Sequence, residues 1–470
     1  MITAQAVQQE VRAMGVFGKR FVAAVALALL VTAPAARAET LADALIAAYR
    51  NSNLLDQNRA LLRASDEDVA VAVSAVRPVI DFTLQSSWSK GQNMFGTQTE
   101  NLSSSASLSA ELMLLDFGRN ALAIESAKET VLATREALVG IEQNVLAAAV
   151  QAYVNVRLAQ EIVALRESNV RLITQELRAA NDRFDVGEIT RTDVAIAESR
   201  RAASQANLSA AQGDYLVARE AYKAATGAYP GNLAPLPRAP AIPGSLDEAR
   251  AIALRSHPQV RQAQHQALVA DLNVKRGEAA MRPTLSARAA VGLDDSGADS
   301  QSVTLSLNQT LYAGGRTSAL YRQAMASRDA TRAGLHQTGV IIEQNVGNAW
   351  SALQVAGASI SATDLQIRAA QTAFDGLREE AKLGARTTLD VLNAEQDLLD
   401  ARNARLSAEA TRYYGVYALL QSMGLLTVQH LQLGIPTYDV SAYYNAVKSA
   451  PATSAQGAKL DRILRSIGGN

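Results

Sequence analysis

Residues 184–194 read FDVGEITRTDV and residues 381–391 read AKLGARTTLDV, so one turn pattern, [VL]-G-x-x-T-x-x-D-V, occurs twice. The offset between Gly118-Arg119 and Gly315-Arg316 is 315 − 118 = 197, and it also joins Tyr153 to Trp350, Gly187 to Gly384, Asp193 to Asp390 and Gly227 to Gly424. Upstream the offset is 282 − 77 = 205, pairing Arg77-Pro78 with Arg282-Pro283 and Arg50 with Arg255. The second copy is therefore 205 − 197 = 8 residues shorter between Pro283 and Gly315. A chain of 470 residues would ordinarily suggest about three domains. The duplication predicts instead two interleaved halves of one body, residues 39–227 and 245–424. The proline-rich PGNLAPLPRAPAIPG connects them within 228–244, as a stiff strap along the side, and 425–470 follows as a C-terminal segment whose tail after Pro451 is of low complexity apart from a short helix expected at 459–467.

From Arg119 to Val186 there is no proline and one glycine, Gly140, and the matching stretch from Arg316 to Leu383 also lacks proline. Each would be a helix of roughly 100 Å at 1.5 Å per residue. Val131, Leu138, Val145 and Ala152 recur in sevens, the signature of coiled coil. Shorter helices are predicted over 41–76, 192–226, 245–281 and 388–423. Gly187 and Gly384 suit the left-handed ends of the long helices, and Thr190 and Thr387 stand three residues before Asp193 and Asp390, as in a capping box. The repeated turn thus reverses the chain at the far tip of each long hairpin.

Between the helices the period changes to two. Ile80, Phe82, Leu84 and Trp88 alternate with Asp81, Thr83 and Gln85, and Leu102 to Leu114 alternate with serines. Leu285 to Leu293 and Val303 to Leu307 repeat the pattern. The predicted hairpins are 79–116 and 283–313. Strands of about ten residues with one apolar face have the length of tilted membrane strands. The chain offers no apolar element to cover them, and lipid forbids open sheet edges, so four strands must borrow others from further copies.

Lys19-Arg20, the apolar run FVAAVALALLVTAPA and the small-x-small Ala36-Arg37-Ala38 predict a secretory signal peptide over 1–38, with Met14 as an alternative start. Residues 21–33 are too few to span a bilayer, and no later apolar run reads as a membrane helix. Forty-five basic residues balance forty-five acidic ones, which gives no electrostatic case for nucleic acid. With no cysteine there are no disulfides or thiolate metal sites. His257, His265, His336 and His430 lack metal spacing, and Gly314-Gly315 lacks the lysine of a phosphate loop, so nothing points to an enzyme or a cofactor.

The signal peptide, the duplicated helix–hairpin–long-helix unit, the VGEITRTDV tip and the junctions LDFGR (115–119) and YAGGR (312–316) together resemble the TolC family of outer-membrane factors. The resemblance covers about residues 39–446. It implies a mainly α protein with membrane β: a homotrimer whose four strands per protomer make a twelve-stranded barrel in outer-membrane lipid, continued by a periplasmic α-helical tunnel. The implied function is a passive exit duct for type I protein secretion or multidrug efflux in a Gram-negative bacterium. Its implied partners are a periplasmic adaptor (membrane fusion) protein and an inner-membrane ABC or proton-driven transporter.

The resemblance also implies a gate at the tip, formed by Asp390 facing the symmetry axis and by Arg386 latched to Thr192 and Asp193. It implies adaptor docking at Val186, Gly187, Thr190, Leu383, Gly384 and Thr387. Asn393 replaces a second ring aspartate, and Ala381 replaces a tyrosine five residues before the latching arginine. A single ring of three carboxylates would attract cations, so cation block at Asp390 is expected, a plain helix-cap role being the alternative. The rival to a channel is a structural periplasmic coiled-coil scaffold, which accounts for the helices and leaves the four strands idle.

Overall fold

A computed structural model describes residues 38–92, 96, 98–449 and 462. The expected signal peptide and the short helix expected at 459–467 lie outside the described residues, apart from Ala38 and Arg462. The first half runs α1 (Leu41–Asn51), α2 (Asn53–Ser74), β1 (Val79–Gln92), β2 (Gln98–Leu115), α3 (Arg119–Asp185) and α4 (Arg191–Thr226). The second repeats it element for element as α5 (Leu246–Ser256), α6 (Pro258–Ala279), β3 (Thr284–Asp294), β4 (Asp299–Asn308), α7 (Arg316–Lys382) and α8 (Thr388–Ser422). A one-and-a-half-turn helix, α9 (Ala442–Val447), follows. α3 and α7 each hold 67 residues, and each begins at a left-handed glycine, Gly118 (φ 83°) and Gly315 (φ 85°).

Two boundaries differ from the sequence reading. The helix expected over 41–76 is two helices, because extended Ser52 (φ −77°, ψ 106°) interrupts it and its hydroxyl accepts from Leu55 N. The helix expected over 245–281 is likewise divided at His257. Extended His257 (φ −66°, ψ 127°) precedes Pro258, which disfavours helical backbone before it, and the imidazole caps α6 by accepting from Gln259 N.

The four strands form one antiparallel sheet in the order β1-β2-β3-β4. Its register aligns the alternations: Phe82 faces Leu108, Leu108 faces Val291, and Leu84 pairs with Ala106, which pairs with Leu293. Ala289 pairs with Val303, Ala287 with Leu305 and Leu285 with Leu307. One face is therefore apolar across all four strands, and the other carries serines, threonines and Arg288, whose guanidinium donates to Ser109 Oγ at 3.2 Å. The apolar face is bare: Phe82 is 70 % exposed, Leu84 73 % and Val303 86 %. β4 ends at Asn308, short of the expected hairpin end at 313. The β1–β2 hairpin, in contrast, extends past β3, since Ser86–Gln92 pair only with Gln98–Ser104.

The main core sits midway along the long helices. Tyr153, Val150 and Leu146 of α3 pack with Leu41 and Leu45 of α1, Tyr222 of α4, Ala249 and Ala253 of α5, and Leu419 and Leu420 of α8. Glu39, just before α1, is bolted here. Its N–H donates to Asn232 O and its carbonyl accepts from Ala234 N, both at 2.8 Å, while its carboxylate accepts from Tyr222 Oη and Gly231 N. Tyr153 Oη donates to Ala234 O at 2.7 Å, which holds the proline-rich strap against the bundle. α3 contains one 18-residue window of mean hydropathy 1.2, contrary to the sequence expectation of no such run. Fifty-six per cent of that window is buried inside the protein, so its apolar side chains serve helix packing.

Candidate functional site

The two hairpin tips have the same backbone circuitry. Gly187 (φ 80°) donates to Phe184 O at 3.0 Å and Glu188 N to Arg183 O at 2.9 Å. Gly384 (φ 74°) donates to Ala381 O at 3.1 Å and Ala385 N to Glu380 O at 3.0 Å. This is the Schellman pair, which satisfies the last carbonyls of α3 and α7 and needs the left-handed glycine. The next helix then starts with a complete capping box. Thr190 N and Oγ1 donate to Asp193 Oδ2 at 3.0 and 2.7 Å, and Asp193 N donates to Thr190 Oγ1 at 3.4 Å. Thr387 N and Oγ1 donate to Asp390 Oδ2 at 3.1 and 2.9 Å, and Asp390 N donates to Thr387 Oγ1 at 3.2 Å. Between cap and helix, Val186 and Leu383 stand 71 % and 85 % exposed.

These bonds decide where each predicted gate residue lies. Asp390 is a helix-cap carboxylate within the protomer. The Thr387 N–H and hydroxyl, with help from Arg386, hold it below the usual carboxylate range. Arg386 is not latched to Thr192 or Asp193 here: its Nε donates to Glu380 Oε2 at 2.8 Å, and Asp193 is occupied by Thr190. The physical reason is reach, since Glu380 lies one turn back in the end of α7 next to the turn, while Thr192 belongs to the other hairpin tip.

The residues that do tie the two hairpins together are ones the sequence reading did not select. Arg183 Nη2 of α3 donates to Ala381 O of α7 at 2.7 Å. Arg200 Nη2 of α4 donates to Asn393 Oδ1 of α8 at 2.8 Å. Arg378 of α7 pairs with Glu176 of α3 at 3.1 Å. Deeper in, Asn169 of α3 donates to the buried Glu395 of α8. The available signal was the departure at Asn393, noted only as the loss of an aspartate, and the single carboxylate of Glu395 inside the apolar spacing of Leu392, Leu398 and Leu399.

Two long hairpins ending in matched turns thus adjoin a four-stranded sheet with one bare apolar face. Residues 45–228 and 250–425 match the family model described as outer membrane efflux protein, the two matched segments falling one in each half. The outer membrane efflux protein BepC of Brucella suis biovar 1 (strain 1330) is 38 % identical over 441 residues, 92 % of this chain and 95 % of that one. The outer membrane protein TolC of Escherichia coli K12 is 25 % identical over 341 residues, 68 % of this chain and 69 % of that one. Among solved structures, the outer membrane protein VceC of Vibrio cholerae superposes with a TM-score of 0.71 at 19 % identity, covering 82 % of this chain and 96 % of that one. The chain belongs to the outer membrane efflux protein family. It is an outer-membrane channel of the efflux and secretion class, from a family of channels that work with adaptors and inner-membrane transporters.

Proposed function

We propose that three copies close a twelve-stranded barrel and a helical tunnel, giving cargo a passive exit duct gated at the hairpin tips. The observation that carries this reading is the sheet: four strands in register present one largely apolar face, and no further strand pairs with β1 or β4 at the sheet's two edges among the described residues. In hydrocarbon each unpaired backbone group costs several kcal/mol, so the edges must be paired by neighbours. Unequal burial of the two halves supports the same reading. α3 buries eighteen residues and α7 seven, and Leu320, Val340, Val355 and Leu365 of α7 are left exposed for a neighbour to cover.

In this assembly the free Asp390 oxygen of each copy faces the axis, giving one ring of three carboxylates and cation block. Arg386, Thr192 and Asp193 line the same mouth, with Arg386 meeting Thr192 or Asp193 only if it exchanges its Glu380 partner. The exposed Val186 and Leu383, with the Gly187, Thr190, Gly384 and Thr387 turns, form the adaptor-docking surface. An adaptor protein and an ABC or proton-driven inner-membrane transporter complete the path and supply its energy.

The native chain has no cysteine, so engineered pairs are clean reporters. Cysteines placed along the outer edges of β1 and β4 should oxidise to covalent dimers and trimers and nothing larger, in the outer-membrane fraction. Failure to crosslink, or recovery in the soluble periplasmic extract, defeats the assembly. Asp390→Asn should weaken block by multivalent cations in planar bilayers; unchanged block defeats the ring.

A further inference from the structure

One turn and a half above Asp390, α8 carries Glu395, which is 3 % exposed, and α3 brings Asn169, 8 % exposed, against it. Asn169 Nδ2 donates to Glu395 Oε1, joining a residue of the first hairpin to one of the second across 226 positions of sequence. The other oxygen, Oε2, is buried and has no hydrogen-bond partner among the described residues. The pair lies at the end of an apolar layer formed by Ile173 and Leu177 of α3, Val194 and Ala197 of α4 and Leu392 of α8. The charged groups facing it are Glu176 on α3, held by Arg378 of α7 at 3.1 Å, and Arg200 on α4, whose guanidinium is engaged by Asn393.

The duplication supplies an internal control. Position 395 − 197 = 198 is also a glutamate, and the Glu198 side chain is 52 % exposed, with Arg191 at 4.0 Å. The same residue at the same place in the repeat is thus solvated in one half and sealed between hairpins in the other.

We propose that Glu395 and Asn169 form a proton-dependent lock between the two tip hairpins, shut while Glu395 is protonated and released when it ionises. This rests on the tip being the gate. A neutral carboxyl shares one bond with Asn169 and leaves only a weakly polar hydroxyl unpaired. A carboxylate leaves a full charge on Oε2 in an apolar layer with Glu176 adding repulsion, and separating the hairpins relieves it by admitting water. Glu395 is a positioning residue that acts through the spacing of α3 and α8.

Burial raises the Glu395 carboxyl from 4.5 to about 7, and Glu176 pushes the same way, while Asn169 and Arg200 oppose them. The closed state therefore holds its proton more tightly than a separated, hydrated one. Closure is fully favoured below about pH 4.5 and loses that advantage as pH rises through about 7. Per protomer the closed-to-open ratio falls by up to roughly a hundredfold between pH 5 and pH 8.

The test uses the purified full-length protein in planar bilayers, titrated from pH 5 to pH 8.5. Open probability should rise with pH in the native protein and in Glu198→Gln, and should be flat in Glu395→Gln. Glu395→Met, which fills similar space without an ionisable group, should also be flat and guards against a fold defect particular to glutamine. Infrared difference spectra should show a protonated carboxyl that disappears near pH 7 and is missing from Glu395→Gln. A Glu395 carboxyl already ionised at pH 5, or a Glu395→Gln channel that titrates like the native one, overturns the lock. Arg386→Ala and Asp390→Asn test the gate separately: if both leave conductance unchanged at pH 7, the gate reading fails whatever Glu395 does.

Discussion

Gly424 offers a substitution whose cost can be worked out before it is made. It follows α8 in the left-handed region at φ +77°, and its amide donates to Gln421 O at 2.9 Å. A Cβ placed there would stand 2.6 Å from His257 Cα, 3.0 Å from Pro258 Cδ and 3.1 Å from His257 N, all parts of the α5–α6 joint. Gly424→Ala then has two costs. The left-handed conformation costs an L residue about 1–2 kcal/mol. Forcing the α5–α6 backbone away resembles overpacking a core, about 1–3 kcal/mol more. Gly384→Ala has nearly the same φ, +74°, with nothing within 4 Å, so only the first cost applies. Gly227→Ala, the repeat counterpart, meets only the Asn51 side chain at 3.0 Å, which can swing away at the loss of its bond to Thr226 O. The expected order of denaturant midpoints for detergent-solubilised protein is native, Gly384→Ala, Gly227→Ala, Gly424→Ala. Equal midpoints for Gly424→Ala and Gly384→Ala would refute the reasoning, since they share the backbone term and differ only in the neighbours.

Three further outcomes are expected. Leu305→Arg, on the apolar face, should cost about 2–4 kcal/mol if that face meets the bilayer midplane, and outer-membrane yield should fall; Ser107→Arg, on the polar face, should insert normally, and equal yields would reject the face assignment. Thr387→Ala should cost about 0.5–2 kcal/mol of helix-start stability and speed amide exchange at the beginning of α8 alone; Asp390 holds the same cap only while ionised, so native protection there, measured relative to the unstructured chain at the same pH, should fall as pH drops through its lowered range. His257 is pushed down to about 4 by burial, so it is neutral in the fold and protonates more readily when unfolded. Stability should therefore be full above about pH 6.5 and fall by up to about 3 kcal/mol toward pH 4; His257→Asn, which keeps a cap acceptor without a titrating group, should flatten urea midpoints across that window.

Much of this architecture was legible because it rests on local rules. The tip turns follow from Gly187, Gly384 and the threonine–aspartate spacing, all set within eleven residues of chain. The sheet was legible because apolar residues at every second position share one face in a strand and scatter around a helix. What stayed hidden depends on how distant elements meet. Nothing near Arg386 says that Glu380 will capture it, because that depends on the direction the turn gives both side chains. Nothing near Glu395 or Glu198 says which will be sealed, because burial is decided by whether α3 lies alongside. The break at Ser52 was missed for a third reason: it is a single extended residue between helices of ordinary composition, whereas at His257 the Pro258 imide marks a helix entry in the sequence itself.

The unequal reach of the two β-hairpins has its own consequence. Beyond Ser105 the first hairpin continues for seven residue pairs, from Ser86–Ser104 to Gln92–Gln98, with no further strand paired to it among the described residues, and it carries a Lys90–Glu100 ion pair at 2.5 Å. In the proposed barrel a two-stranded ribbon is at home in water, so this part should stand clear of lipid, with the Trp88–Leu102 pair at the outer waterline. In the proposed trimer the exterior rim is then crenellated, three tall crests alternating with three low gaps, and an antibody or virus arriving from outside would touch the crests first. An epitope tag grafted between Gln92 and Gln98 should accordingly be stained on intact cells.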